Sequence, residues 1–161
     1  MKKIVIFYSL DGNTRFIAEN IAKTIDADLL ELKLKKEINS KGFMKYFWAG
    51  KSVMTKANPE LLPIDKNVQE YDLLVIGTPV WAFTYAPALN TFFEQNTIKN
   101  KKVALFCCHG GQKGPVFKKM KEALIGNEIL SEIDFQEPLK NDHVKNIEKA
   151  EHWAENIIKS L

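Results

Sequence analysis

The chain has 161 residues, of which 45% are apolar and 27% charged, and its formal net charge is +3. This length and balance predict one globular domain over residues 1–161, with enough apolar side chains for a buried core. The charge is too small to indicate a nucleic-acid groove, and no apolar run reaches the roughly eighteen residues of a membrane span. The lysines at positions 2 and 3 precede an apolar run too short for a secretion signal, so we expect a cytoplasmic protein.

Strand-like and helix-like segments alternate along the chain. Continuous apolar runs predict buried strands, and apolar residues at helical spacing predict amphipathic helices. The predicted strands are Lys3–Tyr8, Asp28–Leu34, Leu73–Gly77, Lys102–Cys108 and Ile129–Phe135. The predicted helices are Thr14–Ile25, roughly Gly42–Thr55, Ala86–Gln95, Lys113–Leu124 and Asp142–Lys159. This alternation predicts a doubly wound α/β domain whose ligand-binding loops follow the central strands.

The loop after the first predicted strand has the composition of a phosphate-binding turn. It reads Ser9-Leu10-Asp11-Gly12-Asn13-Thr14 and leads directly into the first predicted helix. Consecutive backbone N–H groups, the positive end of the helix dipole and side-chain hydroxyls together bind phosphate. A simple helix cap would need only one of these polar residues. We therefore interpret the loop, called the first loop below, as an anion site.

Two further loops follow central strands and are expected at the same edge of the sheet. The second loop, called the aromatic loop below, is rich in aromatic residues and reads Thr78-Pro79-Val80-Trp81-Ala82-Phe83-Thr84-Tyr85. The third loop contains three glycines and reads Cys108-His109-Gly110-Gly111-Gln112-Lys113-Gly114. Glycines let a flat ligand approach the backbone closely. The three loops together suit a ligand with a phosphate tail and a planar ring, such as flavin mononucleotide (FMN). No spacing indicates a metal site or a catalytic triad, so we expect neither a metal nor a catalytic acid or base.

The order of strand, Ser-x-x-Gly-Asn-Thr and helix resembles the phosphate signature of flavodoxins, and the resemblance covers nearly the whole chain. It implies a three-layer doubly wound sandwich with helices on both faces of a five-stranded parallel sheet, in the order 2-1-3-4-5. It also implies FMN as the cofactor. The cofactor-binding residues that it implies are Ser9, Leu10, Asp11, Gly12, Asn13, Thr14, Thr78, Pro79, Val80, Trp81, Ala82, Phe83, Cys108, His109, Gly110 and Gly111.

The resemblance also implies roles within this set. Side chains and N–H groups of the first loop hold the phosphate, Trp81 stacks on the flavin ring, and residues 108–110 cover its pyrimidine side. Phe83 and Tyr85 stay open as alternative stacking rings. His109 either contacts the flavin or caps its loop.

Two residues depart from the flavodoxin pattern. Asp11 stands where the family commonly has serine or threonine, and a carboxylate repels a phosphate dianion. We therefore expect its side chain to turn outward while its N–H group stays in the anion site. Ala82 stands where many flavodoxins carry glycine.

Cys107 and Cys108 are the only cysteines. Neighbours in an extended strand point to opposite faces and pair poorly as a disulfide. We expect reduced thiols with packing roles.

The segment from Lys33 to Lys56 carries seven lysines against one acid, with Phe43, Met44, Phe47 and Trp48 among them. One interpretation is a helix packed on the sheet with a solvated lysine face. The other is a docking surface for an acidic redox partner, or an interfacial helix.

The favoured functional prediction is a monomeric electron carrier between redox protein partners, a reductase and an acceptor. These partners are expected to dock near the flavin edge or at the lysine-rich segment. The alternative is an FMN-dependent NAD(P)H:quinone-type oxidoreductase. A flavin-free member of the fold is a third possibility if Asp11 spoils the anion site.

Overall fold

The computed structural model describes residues 1–36 and 58–161. The predicted helix at 42–55 and the lysine-rich segment beyond Lys36 lie outside the described residues. The strands are β1 (Lys3–Phe7), β2 (Asp28–Glu31), β3 (Leu73–Trp81), β4 (Thr84–Tyr85), β5 (Lys102–His109) and β6 (Glu128–Gln136). The helices are α1 (Asn13–Ile25), α2 (Pro87–Gln95), α3 (Val116–Ala123) and α4 (His143–Lys159), with a 3₁₀ turn at Val68–Glu70.

The sheet has the order β2-β1-β3-β5-β6, with these five strands parallel to one another. This confirms the predicted fold class and strand order. The two-residue strand β4 was not predicted; it pairs antiparallel with the end of β3.

Helices cover both faces of the sheet. On one face, α1 and α4 bury residues such as Ile17, Ile21 and Trp153 against β1 and β5. On the other face, Leu89 and Phe92 of α2 pack with the buried residues of α3. Because both faces are covered, the central strands are almost continuously apolar, as the sequence pattern indicated.

Strand β3 runs four residues past its predicted end at Gly77. It stays paired with β5 as far as Pro79, whereas its pairing with β1 stops at Gly77. A proline inside a strand would normally remove a ladder hydrogen bond, but Pro79 lies beyond the reach of β1, so this edge has no ladder bond to lose. Strand β2, in contrast, ends at Glu31, before its predicted end at Leu34. Leu34 forms only an isolated β-bridge with Leu61.

Gly77 sits between the two strands that carry the first and third loops. It pairs with Phe7 of β1 and Phe106 of β5. A Cβ atom at Gly77 would lie 1.9 Å from Cζ of Phe106, so only glycine lets this ring cross β3. In residues 1–36 and 58–161, no helix has the length and apolar character needed to cross a membrane.

Candidate functional site

The first loop is held in shape by its own side chains. Ser9 Oγ accepts hydrogen bonds from the N–H groups of Gly12 and Arg15, both at 3.2 Å. Gly12 has a φ of 91°, a left-handed conformation that glycine adopts without penalty. The turn therefore gathers its N–H groups at the start of α1, as the sequence pattern predicted.

The expected outward orientation of the Asp11 side chain is wrong. Asp11 Oδ1 accepts the backbone N–H of Asn13 at 3.1 Å, and Oδ2 accepts the Asn13 side-chain amide at 2.8 Å. The physical reason is that the amides at a helix N-terminus attract a carboxylate within reach. Asp11 thus provides an anion at the site where the resemblance places a phosphate.

Asn13 also connects the first loop to the segment after β6. Its Oδ1 accepts the backbone N–H of Leu139 at 3.0 Å. Leu139 packs so closely that a Cβ atom on Gly12 would lie 3.3 Å from its Cδ1. The contact joins residues 126 positions apart, and no local pattern in the sequence signals it.

Thr14 is fully buried at the start of α1, where its hydroxyl adjoins the Cys108 thiol. Its Oγ1 atom has no other hydrogen-bond partner in the described part of the chain, and a thiol is only a weak donor and acceptor. This weakly satisfied hydroxyl is compatible with a loop that binds a phosphate.

The aromatic loop is a tight β-hairpin. Trp81 pairs with Thr84, and the two residues between them, Ala82 and Phe83, have φ values of 44° and 62°. Positive φ at both positions is the pattern of a type I′ turn. Thr78 closes the hairpin from below: its hydroxyl donates to the Pro79 carbonyl and accepts the Ala86 N–H, both at 2.9 Å.

Of the three aromatic candidates for the stacking ring, Trp81 is the one that lines the pocket between the loops. It meets the Tyr8 ring edge-on, with 5.6 Å between centroids. Phe83 is 53% exposed at the hairpin turn. Tyr85 packs against Phe93 and lines a different cavity with residues of α3.

The third loop is organised by a charged residue that the sequence analysis missed. Asp134 of β6 contacts two of its side chains: Oδ2 lies 3.0 Å from His109 Nε2, and Oδ1 lies 2.5 Å from Lys113 Nζ. Burial raises the pKa of Asp134, but hydrogen bonds from Lys113 and His109 outweigh that effect and hold the pKa below its usual value. An ionised Asp134 can only accept hydrogen bonds, so His109 donates its Nε2–H group to it.

His109 Nδ1 is buried without a hydrogen-bond partner, and the side chain is only 7% exposed. The third loop thus contains a buried polar atom that has no partner in residues 1–36 and 58–161. Asp134 gave no sequence signal because it lies in an edge strand 25 residues away from His109.

The two cysteines point to opposite faces of the sheet, each in a different core cluster, as predicted. Both are free thiols. Burial raises the pKa of Cys107 to about 12, and burial likewise raises the pKa of Cys108, with the neighbouring Thr14 hydroxyl opposing it. Neither thiol is activated as a nucleophile.

The three loops meet at a cavity of about 100 Å³. Its lining comprises Asp11, Asn13, Pro79, Val80, Trp81, Cys108, His109 and Gly110. The other predicted residues lie in the same loops outside that lining: Ser9, Leu10, Gly12, Thr14, Thr78, Ala82, Phe83 and Gly111. This lining combines polar groups of the first loop with the Trp81 indole, which suits a ligand with an anionic tail and a planar ring.

The described part of the lysine-rich segment is partly neutralised. Lys33 Nζ lies 3.9 Å from Glu31, and Lys35 Nζ lies 3.5 Å from Glu60. Arg15, in the first turn of α1, also binds Glu31 through its guanidinium group.

The fold and the loop arrangement define a protein of the flavodoxin class. The family model described as flavodoxin matches residues 2–157, and the chain belongs to this family. No curated protein sequence matches the chain significantly.

Solved structures share the fold at low sequence identity. A flavoprotein from Lactobacillus acidophilus NCFM, solved in complex with FMN, is 24% identical with a TM-score of 0.72, covering 86% of this chain and 96% of that one. A protein described as a flavoprotein, from Bacteroides uniformis ATCC 8492, is 22% identical with a TM-score of 0.81, covering 96% and 97%. A flavodoxin from the domain Archaea is 17% identical with a TM-score of 0.62, covering 99% and 98%.

Proposed function

We propose that this chain binds FMN at the edge formed by the three loops and carries electrons between redox protein partners. The observation that carries the proposal is the shared cavity, which brings Asp11 and Asn13 of the first loop together with Trp81 and His109. Membership of the flavodoxin family supports the same conclusion.

When bound, FMN supplies the electron chemistry, and the protein supplies binding and orientation. The first loop binds the phosphate through N–H groups and the Thr14 hydroxyl. Trp81 offers its indole to one face of the ring. His109, held by Asp134, offers its other ring nitrogen, Nδ1, to the ring's polar edge. The buried Cys107 and Cys108 thiols stay protonated and serve as packing residues.

The electron partners dock where the cofactor edge is accessible, at the three loops, or at the lysine-rich segment from Lys33 to Lys56. We place the protein in the cytoplasm as a monomer of one domain. Exposed Phe83 at the hairpin tip offers apolar surface at this edge.

A second candidate is an FMN-dependent NAD(P)H:quinone-type oxidoreductase. The observation that favours it is the same exposed Phe83, because an exposed aromatic ring two residues after Trp81 is suited to stacking a planar nicotinamide or quinone.

One preparation tests both candidates. We expect purified protein, or apoprotein reconstituted with FMN, to show a bound-flavin absorption spectrum and to accept electrons from dithionite. We expect no steady-state oxidation of NADPH or NADH with a quinone in the absence of a reductase. Sustained NAD(P)H oxidation would select the oxidoreductase instead. A colourless protein that cannot be reconstituted would refute both candidates and leave the flavin-free interpretation.

A further inference from the structure

We propose that Asp11 acts as an internal substitute for the phosphate and thereby sets how strongly the site prefers FMN over riboflavin, its unphosphorylated form. The proposal rests on the proposed function, since it concerns the same site. It follows from an acidic residue in the loop that is expected to bind the anionic tail.

The Asp11 carboxylate already occupies donors that a phosphate would use. Its two oxygens accept the backbone N–H and the side-chain amide of Asn13, at 3.1 and 2.8 Å. A phosphate that takes these donors has to displace the carboxylate. Phosphate binding therefore exchanges one set of charge-assisted hydrogen bonds for another instead of adding a new set.

Displacement does not remove the charge from the neighbourhood. Asp11 lines the same cavity as Asn13, so its carboxylate stays near the incoming group. A phosphate monoester carries about −1.5 to −2 charges at pH 7. The two like charges repel each other, although solvent weakens the repulsion because Asp11 is exposed.

Two cations near the first loop, among the described residues, already have carboxylate partners. Arg15, four residues along the chain, binds Glu31. Lys140 interacts electrostatically with Asp11, but its Nζ atom forms an ion pair with Glu137. Because each of these cations already has a carboxylate partner, we do not expect either to cancel the repulsion between Asp11 and a phosphate.

Riboflavin faces no such conflict. Because riboflavin has no phosphate, the Asp11 carboxylate keeps its hydrogen bonds to Asn13 when riboflavin binds. The ring of riboflavin makes the same contacts with the pocket as the ring of FMN. Asp11 therefore lowers the affinity for FMN while leaving that for riboflavin nearly unchanged. The chain discriminates less between the two flavins than the same loop with a neutral residue would.

The experiment compares Asp11→Asn with wild type in apoprotein titrations that follow quenching of flavin fluorescence. Asparagine keeps an oxygen for the Asn13 N–H but removes the charge. We expect FMN to bind about tenfold more tightly to Asp11→Asn and riboflavin affinity to stay within about twofold. Inorganic phosphate, titrated as a competitor against FMN, should also bind more tightly to the variant.

Asp26→Asn is the matched control. Asp26 lies at the opposite end of α1 with a φ of 50°, a conformation that asparagine tolerates well. The same charge change there should leave the FMN-to-riboflavin affinity ratio unaltered. Asp11→Ser provides a second neutral variant in case Asp11→Asn folds poorly.

The outcomes separate the two proposals. If wild type binds FMN but the ratio is unchanged or reduced in folded Asp11→Asn and Asp11→Ser, the role of Asp11 is refuted and the proposed function stands. If Asp26→Asn raises the ratio equally, net charge is responsible and the role of Asp11 is again refuted. If wild type and variants bind neither flavin, both proposals fail together.

Discussion

The first loop and the third loop lie at the same edge of the sheet but are built in different ways. The first loop shapes itself with bonds between near neighbours: Ser9 to Gly12 and Arg15, and Asp11 to Asn13. The third loop depends on Asp134, which reaches it from another strand. The comparison teaches that a short run of consecutive residues can fix the shape of a turn, whereas the position of the His109 imidazole depends on the folded sheet.

The largest expected effect is a loss of stability at Gly77, between the strands that carry the first and third loops. Gly77→Ala places a Cβ atom against the Phe106 ring, between the strands that carry the two loops. We expect the free energy of unfolding, measured by urea denaturation, to fall by about 2–3 kcal/mol because the core is overpacked.

Two comparisons check that explanation. Adding Phe106→Leu should recover part of the loss. Gly111→Ala, where no atom lies within 4 Å of the added Cβ, should leave stability within about 0.5 kcal/mol of wild type. A stable Gly77→Ala single variant would contradict the packing argument.

The next effect isolates the first loop. Ser9→Ala leaves the N–H groups of Gly12 and Arg15 without their acceptor. We expect about 1 kcal/mol lower stability and about tenfold weaker FMN binding, with riboflavin affinity within about twofold of wild type. Ser131→Ala, which removes the acceptor of the Trp153 indole N–H, should lower stability without changing the FMN-to-riboflavin ratio. Equal losses for both flavins in Ser9→Ala would show that this loop does not hold the phosphate.

A smaller effect isolates the third loop. Asp134→Asn removes the charge that holds His109 and Lys113. We expect FMN and riboflavin to bind about threefold more weakly, in equal measure, because the ring end is affected. The ¹⁵N spectrum of the His109 imidazole should change as well, since an amide no longer enforces protonation at Nε2.

Glu132→Gln is the control for that variant. Glu132 lies two residues earlier on β6 and pairs with Lys121 at 3.1 Å. It should alter neither the affinities nor the His109 spectrum. A change in the FMN-to-riboflavin ratio in Asp134→Asn would place this residue near the phosphate instead.

The smallest effect is the pH dependence of the third loop. The folded pKa of Asp134 lies below its usual 3.8, so its ionised form stabilises the fold above that pH and the contribution is lost as pH falls through the folded value. We expect the stability difference between wild type and Asp134→Asn to be constant above about pH 5 and to shrink below about pH 4. A difference that grows on acidification would contradict the assigned ion pair.

Much of the fold was predictable because its signals are local. The buried strands read as apolar runs, and α1 and α4 read as amphipathic repeats, so the doubly wound class was anticipated; the strand order came from the resemblance to flavodoxins. The hairpin was misread as a loop because Pro79 normally argues against a strand. The strand can contain Pro79 because its pairing with β1 has already ended at Gly77, and that end point is set by the folded sheet.

The candidate site divides in the same way. The Ser9–Thr14 loop and Trp81 were predicted, since strand, turn and helix follow one another directly. The orientation of Asp11 was wrongly predicted, because repulsion by a future ligand was considered before the attraction of the helix N-terminus in the protein itself. Asp134 and Leu139 were missed because they reach the site from distant parts of the chain.

By itself, the amino-acid sequence determined the doubly wound sheet, through hydrophobic periodicity, and the local shape of the first loop, through bonds between near neighbours; its motif also pointed to the family to which the chain belongs. Only the tertiary structure decided which donors Asp11 occupies, which aromatic ring lines the cavity and which carboxylate holds His109. Those outcomes depend on distances between strands and loops that come together only when the helices pack on both faces of the sheet.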